Sequence, residues 1–104
     1  MFNFEKLDVW QKAIDFANLV YNETRAISSN IAEGSSRSSK SDFARFLEIA
    51  AGSVFEVVSQ GFIAQRQGFW SDVQFRRIYS DAEELSRMLS GLRKSLLLTL
   101  NSQL

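Results

Sequence analysis

The chain has 104 residues, with no cysteine and no histidine, and twelve basic side chains balance twelve acidic ones. The missing residue types exclude disulfides, thiolate metal sites and catalytic triads that use a cysteine or a histidine. A formal net charge of zero excludes the global basic field that drives non-specific binding to nucleic acids. Hydrophobic residues make up 45% of the sequence, which predicts one folded domain over residues 1–104.

The absence of proline and the presence of only five glycines favour an all-α fold. The first predicted helix begins near Asp8, a good N-cap, and is apolar on more than one side. The chain start lacks the basic and apolar regions of a secretory signal, and the longest apolar runs are too short to span a bilayer. We therefore expect a cytoplasmic protein with no membrane partner.

The segment from Ile27 to Gly34 predicts two helical turns closed by Gly34 as the residue after the C-cap. Asn30 and Glu33 are three residues apart, so they share one helical face. A carboxylate beside an amide can serve general acid–base chemistry, whereas the alternative is capping or pairing with a nearby arginine such as Arg37. We favour the structural alternative.

The second long periodic segment predicts a helix from about residue 40 to 67, with Ser39 as N-cap and Gly68 as the stop signal. Gly52 and Gly61 each cost up to about 1 kcal/mol in a helix interior relative to alanine. We therefore expect both glycines to allow close packing of a neighbouring helix.

The serine-rich stretch before this helix contains Arg37 and Lys40. A helix N-terminus flanked by basic side chains can bind a phosphate, and the alternative is a solvated loop with a good cap. The capped loop is our preferred interpretation.

The last helix is predicted over about residues 72–100, because Ser71 and Gln74 have the spacing of a capping box. Arg76 and Arg77 are candidates for contact with nucleic acid, but acidic residues from Asp81 onward interrupt the basic ones. This pattern is typical of a mixed, solvated face.

Helical periodicity also predicts which residues face the core. They are Trp10, Ile14, Ala17, Phe43, Leu47, Ala50, Val54, Ile78, Ala82, Leu85, Leu89 and Leu92.

Nine phenylalanines and two tryptophans exceed what the core seams need. Phe55, Val58 and Phe62 lie off the predicted core face of their helix, and Phe69 and Trp70 lie in the turn that follows. These five residues form either an interface with another molecule or a wider core, and we favour the interface.

Three segments together resemble one protein family. The first contains Trp10, the second contains Asn30, Glu33 and Gly34, and the third contains Gly52 and Ser53. They are residues 7–13, 28–34 and 43–53. The chain is similar to the bacterial four-helix bundle proteins encoded by intervening sequences within large-subunit ribosomal RNA genes, which are also described as ribosomal-protein-like. That family is related to the accessory variability determinants of diversity-generating retroelements.

The resemblance implies an antiparallel up-down four-helix bundle, often assembled as a homopentamer, with no known enzymatic activity. Compared with the family pattern, on the order of twenty residues are missing between Ala26 and Ile27, enough for a loop and a few helical turns. The second helix is therefore either truncated or omitted, and we favour omission because so short a helix does not cover one side of a core.

These observations favour a non-enzymatic, oligomeric adaptor that docks a protein or nucleoprotein partner. The alternative is direct RNA or DNA binding through arginines repeated around a homo-oligomeric ring, with a pentamer favoured. No cofactor, metal or small-molecule substrate is expected.

Overall fold

The computed structural model describes residue 5 and residues 8–102, and within these residues it is all-helical. Helix α1 spans Asp8–Ser35, α2 spans Lys40–Arg66 and α3 spans Asp72–Ser102. Short turns join the helices, so neighbours run antiparallel. α1 and α3 each pack along α2, and in the described part of the chain their backbones do not pack against each other.

The first helix differs from the expectation of a four-helix bundle. α1 continues through Ala26 and Ile27 as one helix of 28 residues, so the predicted first helix and the short second segment are a single element. No proline or positive-φ residue interrupts the helix at this point. The expected separate second helix is not formed, because Ala26 and Ile27 lie inside α1.

Gly34 also has a different role from the predicted helix stop. It lies inside α1, which ends one residue later at Ser35, and its φ is not positive. A Cβ placed on Gly34 would lie 2.7 Å from the Cβ of Phe46 on α2. The missing side chain therefore lets α1 and α2 approach closely at the end of their hairpin.

The predicted ends of α2 are confirmed. The hydroxyl of Ser39 accepts a hydrogen bond from the backbone N–H of Asp42 at 3.2 Å. After the C-cap, Gly68 has a φ of 79°, and the N–H of Phe69 donates to the carbonyl oxygen of Ala64 at 2.8 Å. This is the Schellman arrangement that a glycine at this position predicts.

The start of α3 is the predicted capping box. The backbone N–H of Ser71 donates to Oε1 of Gln74 at 2.9 Å, and the N–H of Gln74 donates to the hydroxyl of Ser71 at 3.1 Å. Each side chain satisfies a donor that the helix itself leaves without an acceptor.

The core is a narrow seam along α2. Its buried hydrophobic residues are Ile27, Ala44, Leu47, Ala50, Val54, Val57, Ala64, Phe75, Ala82 and Leu89. Five of the twelve predicted core residues, Leu47, Ala50, Val54, Ala82 and Leu89, are among these. Among the described residues, Leu47 and Val54 are the largest side chains that are almost completely buried.

Other predicted core residues are more accessible. Ile14 and Leu92 are 42% and 43% exposed, so placing them in the core of a single chain was wrong. Trp10 is half-buried, and the side chain of Ala17 lies outside the described part. Ile14 lies on α1 and Leu92 on α3, and in the described part of the chain each of these helices packs against α2 alone.

The two glycines of α2 also differ from each other. A Cβ on Gly61 would lie 3.0 Å from the rings of Phe75 and Trp70, which confirms close packing at this position. Gly52 is exposed, and a Cβ there would meet nothing within 4 Å. The prediction of close packing at Gly52 was therefore wrong.

The three helices form a thin layer. The principal extents of the Cα trace are 64 × 26 × 13 Å, and its radius of gyration is 17.5 Å, against about 13 Å for a compact domain of this length. The accessible surface of 7431 Å² exceeds by about 1,500 Å² the value of about 5,900 Å² for a compact monomer of 11.8 kDa. One chain thus supplies a single layer, whereas a typical domain core lies between two layers.

Candidate interaction surfaces

One apolar surface follows the α2–α3 side of the layer. The rings of Phe62 and Phe75 have centroids 4.6 Å apart, and the ring of Tyr79 lies 6.2 Å from that of Phe62. Phe75 is buried beneath them, whereas Phe62 and Tyr79 are 41% and 40% exposed. About two helical turns before Phe62, the side chain of Phe55 is 66% exposed. We call Phe55, Phe62 and Tyr79 the aromatic stripe.

The predicted interface residues fall on different parts of the layer. Val58 is half-buried and lines a hollow beside Phe55 together with Glu83, Ser86 and Arg87 of α3. Phe69 and Trp70 are half-buried in the turn between α2 and α3. Val58 therefore lies beside Phe55 of the aromatic stripe, and Trp70 also lines the second surface, which is described next.

The second apolar surface is a groove between α1 and α3, with α2 as its floor. Val54 and Val57 form the floor, and Trp70 lies at the turn end. The walls are Val20, Thr24 and Ile27 from α1 and Ile78, Asp81, Ala82 and Leu85 from α3. The groove has a volume of about 250 Å³ and an open top, and Thr24 and Asp81 are the polar residues of its lining. We call it the α1–α3 groove.

The groove walls continue beyond the lining residues. Met88, seven residues after Asp81, lies on the same side of α3 and is 63% exposed. Leu92 is likewise seven residues after Leu85, and it lines a hollow with Phe43 at the far end of the layer. The apolar side of α3 is therefore wider than its contact with α2 requires.

Sequence reasoning missed this groove. The walls come from α1 and α3, which lie far apart in the sequence, and their spacing depends on how each helix sits around α2. A detectable signal existed in α1, which is apolar on more than one side, because a helix with one neighbour needs only one apolar face.

The predicted phosphate-binding residues at the α1–α2 turn are engaged within the chain. Nη2 of Arg37 lies 2.6 Å from Oε1 of Glu33, and its guanidinium lies 5.1 Å from the ring centroid of Phe46. Lys40 is half-buried, and it borders a hollow whose other walls include Leu92. The turn therefore presents a paired cation and an apolar surface instead of a free basic cluster.

Arg76 and Arg77 lie at the opposite end of the layer. Both are exposed in the second turn of α3, and Nε of Arg76 donates to the carbonyl oxygen of Asp72 at 3.3 Å. A helix of 27 residues separates this end from Lys40, which corresponds to about 40 Å. The four basic candidates consequently form two separate pairs and not one site within a chain.

Two residues of the family motif, Asn30 and Glu33, are engaged near the end of α1. Asn30 donates from Nδ2 to the carbonyl oxygen of Ala26 at 2.8 Å, and Glu33 pairs with Arg37. Ser53 is half-buried, in contrast to Gly52 beside it. In the described residues, no group of three or more acidic side chains is placed to hold a metal ion.

α2 raises a question of membrane insertion. By length and composition it is apolar enough to cross a bilayer, which the sequence analysis did not anticipate. This is weak evidence for a span, because the core helix of a soluble bundle meets the same criterion. Glu48 of α2 instead lies 3.5 Å from Nη2 of Arg93 on α3, an ion pair that joins the two helices.

Comparison with known proteins identifies the class and then the family. The all-α layer with apolar surfaces and a glycine-mediated hairpin is typical of helical bundle proteins. A family model described as 23S rRNA-intervening sequence protein matches residues 24–91, about two thirds of the chain. The chain belongs to this family. No curated protein and no solved structure matches it.

Proposed function

We propose that the protein is a non-enzymatic, oligomeric helical adaptor that acts in the cytoplasm and docks a protein or nucleoprotein partner. The observation that supports this most strongly is the exposure of large apolar side chains: Val73, Phe55 and Met88 are 69%, 66% and 63% exposed. Exposed apolar surface on a soluble chain is typical of an interface with another macromolecule.

Self-association is the first step of this proposal. A single helical layer has no second layer to cover its core seam. Another copy of the same chain can supply such a layer, and it is present wherever the first copy is made. The four-helix arrangement expected from the family resemblance would then be completed between copies, with a closed ring of five as the favoured assembly.

Direct binding to RNA or DNA is the competing proposal. Arg76 and Arg77 are adjacent and exposed, and a ring would repeat this pair in every subunit. Repetition raises the overall affinity even where a single site binds weakly. The net charge of zero and the pairing of Arg37 with Glu33 favour the adaptor instead.

Retention on immobilised RNA and DNA at increasing salt separates the two proposals. Binding through phosphates weakens steeply with salt, because each neutralised phosphate releases a counterion. The adaptor proposal predicts that little protein is retained even at about 50 mM salt. Raising the salt to about 200 mM should then change the retention only slightly. The variant with both Arg76→Gln and Arg77→Gln is the matched control: a fall in retention and in salt slope relative to the wild type would reject the adaptor in favour of direct binding.

A further inference from the structure

We infer that the hollow between the start of α2 and the end of α3 docks an acidic, amphipathic helical segment of a partner protein. Phe43 of α2 and Leu92 and Leu96 of α3 supply its apolar walls, and Arg37 and Lys40 are its charged residues. We call it the Lys40 hollow. The inference rests on the proposed adaptor function, and it names the chemistry of the partner and the surface that receives it.

The first argument is the charge of the lining. The Lys40 hollow contains two basic residues and no acidic one, whereas the α1–α3 groove contains Asp81 and the hollow beside Phe55 contains Glu83. Arg37 is already paired with Glu33 at 2.6 Å. Within the described residues Lys40 forms no ion pair, so it is the cation of this lining that remains to bind a carboxylate.

The second argument is the uneven distribution of charge along the layer. We divide the layer where its three helices line the α1–α3 groove. The half with the Lys40 hollow (residues 28–53 and 86–102) has six basic and three acidic side chains, and the other half (residues 8–26 and 55–84) has five basic and eight acidic. The neutral chain therefore has a positive end, whose field attracts an acidic partner and orients it.

The third argument is the concave apolar shape, which favours a protein partner over RNA and over a membrane. The volume of about 260 Å³ exceeds the roughly 150 Å³ of an apolar cavity that accepts a benzene ring, so a large aliphatic side chain has room. A phosphate backbone offers no such side chain, and a surface that enters a bilayer projects its apolar side chains instead of recessing them. An amphipathic helix presents an apolar anchor with a carboxylate one turn away.

Fluorescence anisotropy with a labelled synthetic peptide tests the inference. The acidic probe is a helix of about 18 residues with leucines along one face and glutamates beside them, and a second probe has lysine in place of every glutamate. Lys40→Glu reverses the cation of the hollow, and a glutamate in the first turn of α2 is compatible with the helix. Arg77→Glu is the matched control, because it makes the same change of charge at an exposed position at the other end of the layer.

We expect the wild type and Arg77→Glu to bind the acidic peptide with similar affinity. Lys40→Glu should bind it at least about fivefold more weakly, because like charges then meet, and it should bind the lysine peptide more tightly than the wild type does. Misfolding does not produce such an exchange of preference. Leu92→Ala, at a position 43% exposed, should weaken binding of the acidic peptide about five- to tenfold by removing part of the apolar wall. Circular dichroism verifies the helical content of each variant.

Other outcomes overturn the inference in distinguishable ways. If the wild type binds the acidic peptide no more tightly than the lysine peptide, or if Lys40→Glu and Arg77→Glu lose equal affinity, the hollow is not the docking site, although the adaptor proposal stands. Vesicles of phosphatidylglycerol bound more tightly than the peptide, with loss of binding in Lys40→Glu, would assign the hollow to a membrane surface. Retention on polyuridylate RNA that is lost in Lys40→Glu would reject both this site and the adaptor proposal in favour of direct RNA binding.

Discussion

A Cβ on Gly34 would lie 2.7 Å from the Cβ of Phe46, closer than real Cβ atoms approach other heavy atoms. The contact joins α1 and α2 next to the turn of their hairpin, where backbone and side chain leave little room to shift. The glycine of the family motif is therefore explained by helix packing and not by a helix end.

Gly34→Ala should destabilise the protein by about 1 to 3 kcal/mol, because the added methyl group overpacks the contact with Phe46. Gly52→Ala is the matched control, since a Cβ there meets nothing. It should stabilise the protein by about 0.4 to 1 kcal/mol through better helix propensity and a less flexible unfolded chain. Urea denaturation measures both, and equal effects at the two glycines would contradict the described hairpin.

Leu47→Ala should cost about 2 to 5 kcal/mol, because Leu47 is 1% exposed at the centre of the core seam. Glu84→Ala, at an exposed position on α3, should change the free energy of unfolding by less than about 0.5 kcal/mol. Thermal or chemical denaturation followed by circular dichroism gives both values. A small effect at Leu47 would show that the seam along α2 is not the core.

Ser71→Ala should reduce stability by about 0.5 to 2 kcal/mol, because the N–H of Gln74 loses its acceptor at the start of α3. Ser80→Ala, in the exposed middle of the same helix, should remain within about 0.5 kcal/mol of the wild type. Comparison of the two denaturation midpoints isolates the cap from the general effect of replacing a serine. Identical midpoints would mean that the capping box contributes nothing.

Phe62→Glu should be more damaging than Phe55→Glu. Phe62 packs against the buried ring of Phe75 with the ring centroids 4.6 Å apart, so a charge there disturbs the packing of α2 on α3 as well as the exposed stripe. We expect loss of assembly with unchanged helical content for Phe55→Glu, and loss of both assembly and thermal stability for Phe62→Glu. Equal melting temperatures for the two variants would place Phe62 outside the subunit's own packing.

Local signals in the sequence predicted the helix ends well. Ser39, Gly68 and the pair of Ser71 and Gln74 each act through bonds to nearby backbone, so their spacing alone predicts the geometry. The boundaries of α2 and α3 followed from these residues to within two positions.

The path of the chain at Ile27 was harder to predict. One continuous helix and two shorter helices show the same apolar periodicity, so periodicity alone does not distinguish them. The family pattern favoured two helices, whereas α1 is continuous. The exposure of Ile14 and Leu92 depends equally on tertiary structure, since helical periodicity does not tell whether another helix covers a given face. An apolar surface around Phe55 and Phe62 was predicted from the sequence, but the α1–α3 groove depends on the relative positions of α1 and α3.

The most direct test of the account is the molar mass of the purified wild-type chain by light scattering at micromolar concentration. The account predicts an assembly, with a mass five times the 11.8 kDa of one chain if the favoured ring forms. A mass of twice one chain would keep self-association but reject the ring. A mass of 11.8 kDa across the concentration range would contradict the central claim that copies of this chain cover one another's apolar surfaces.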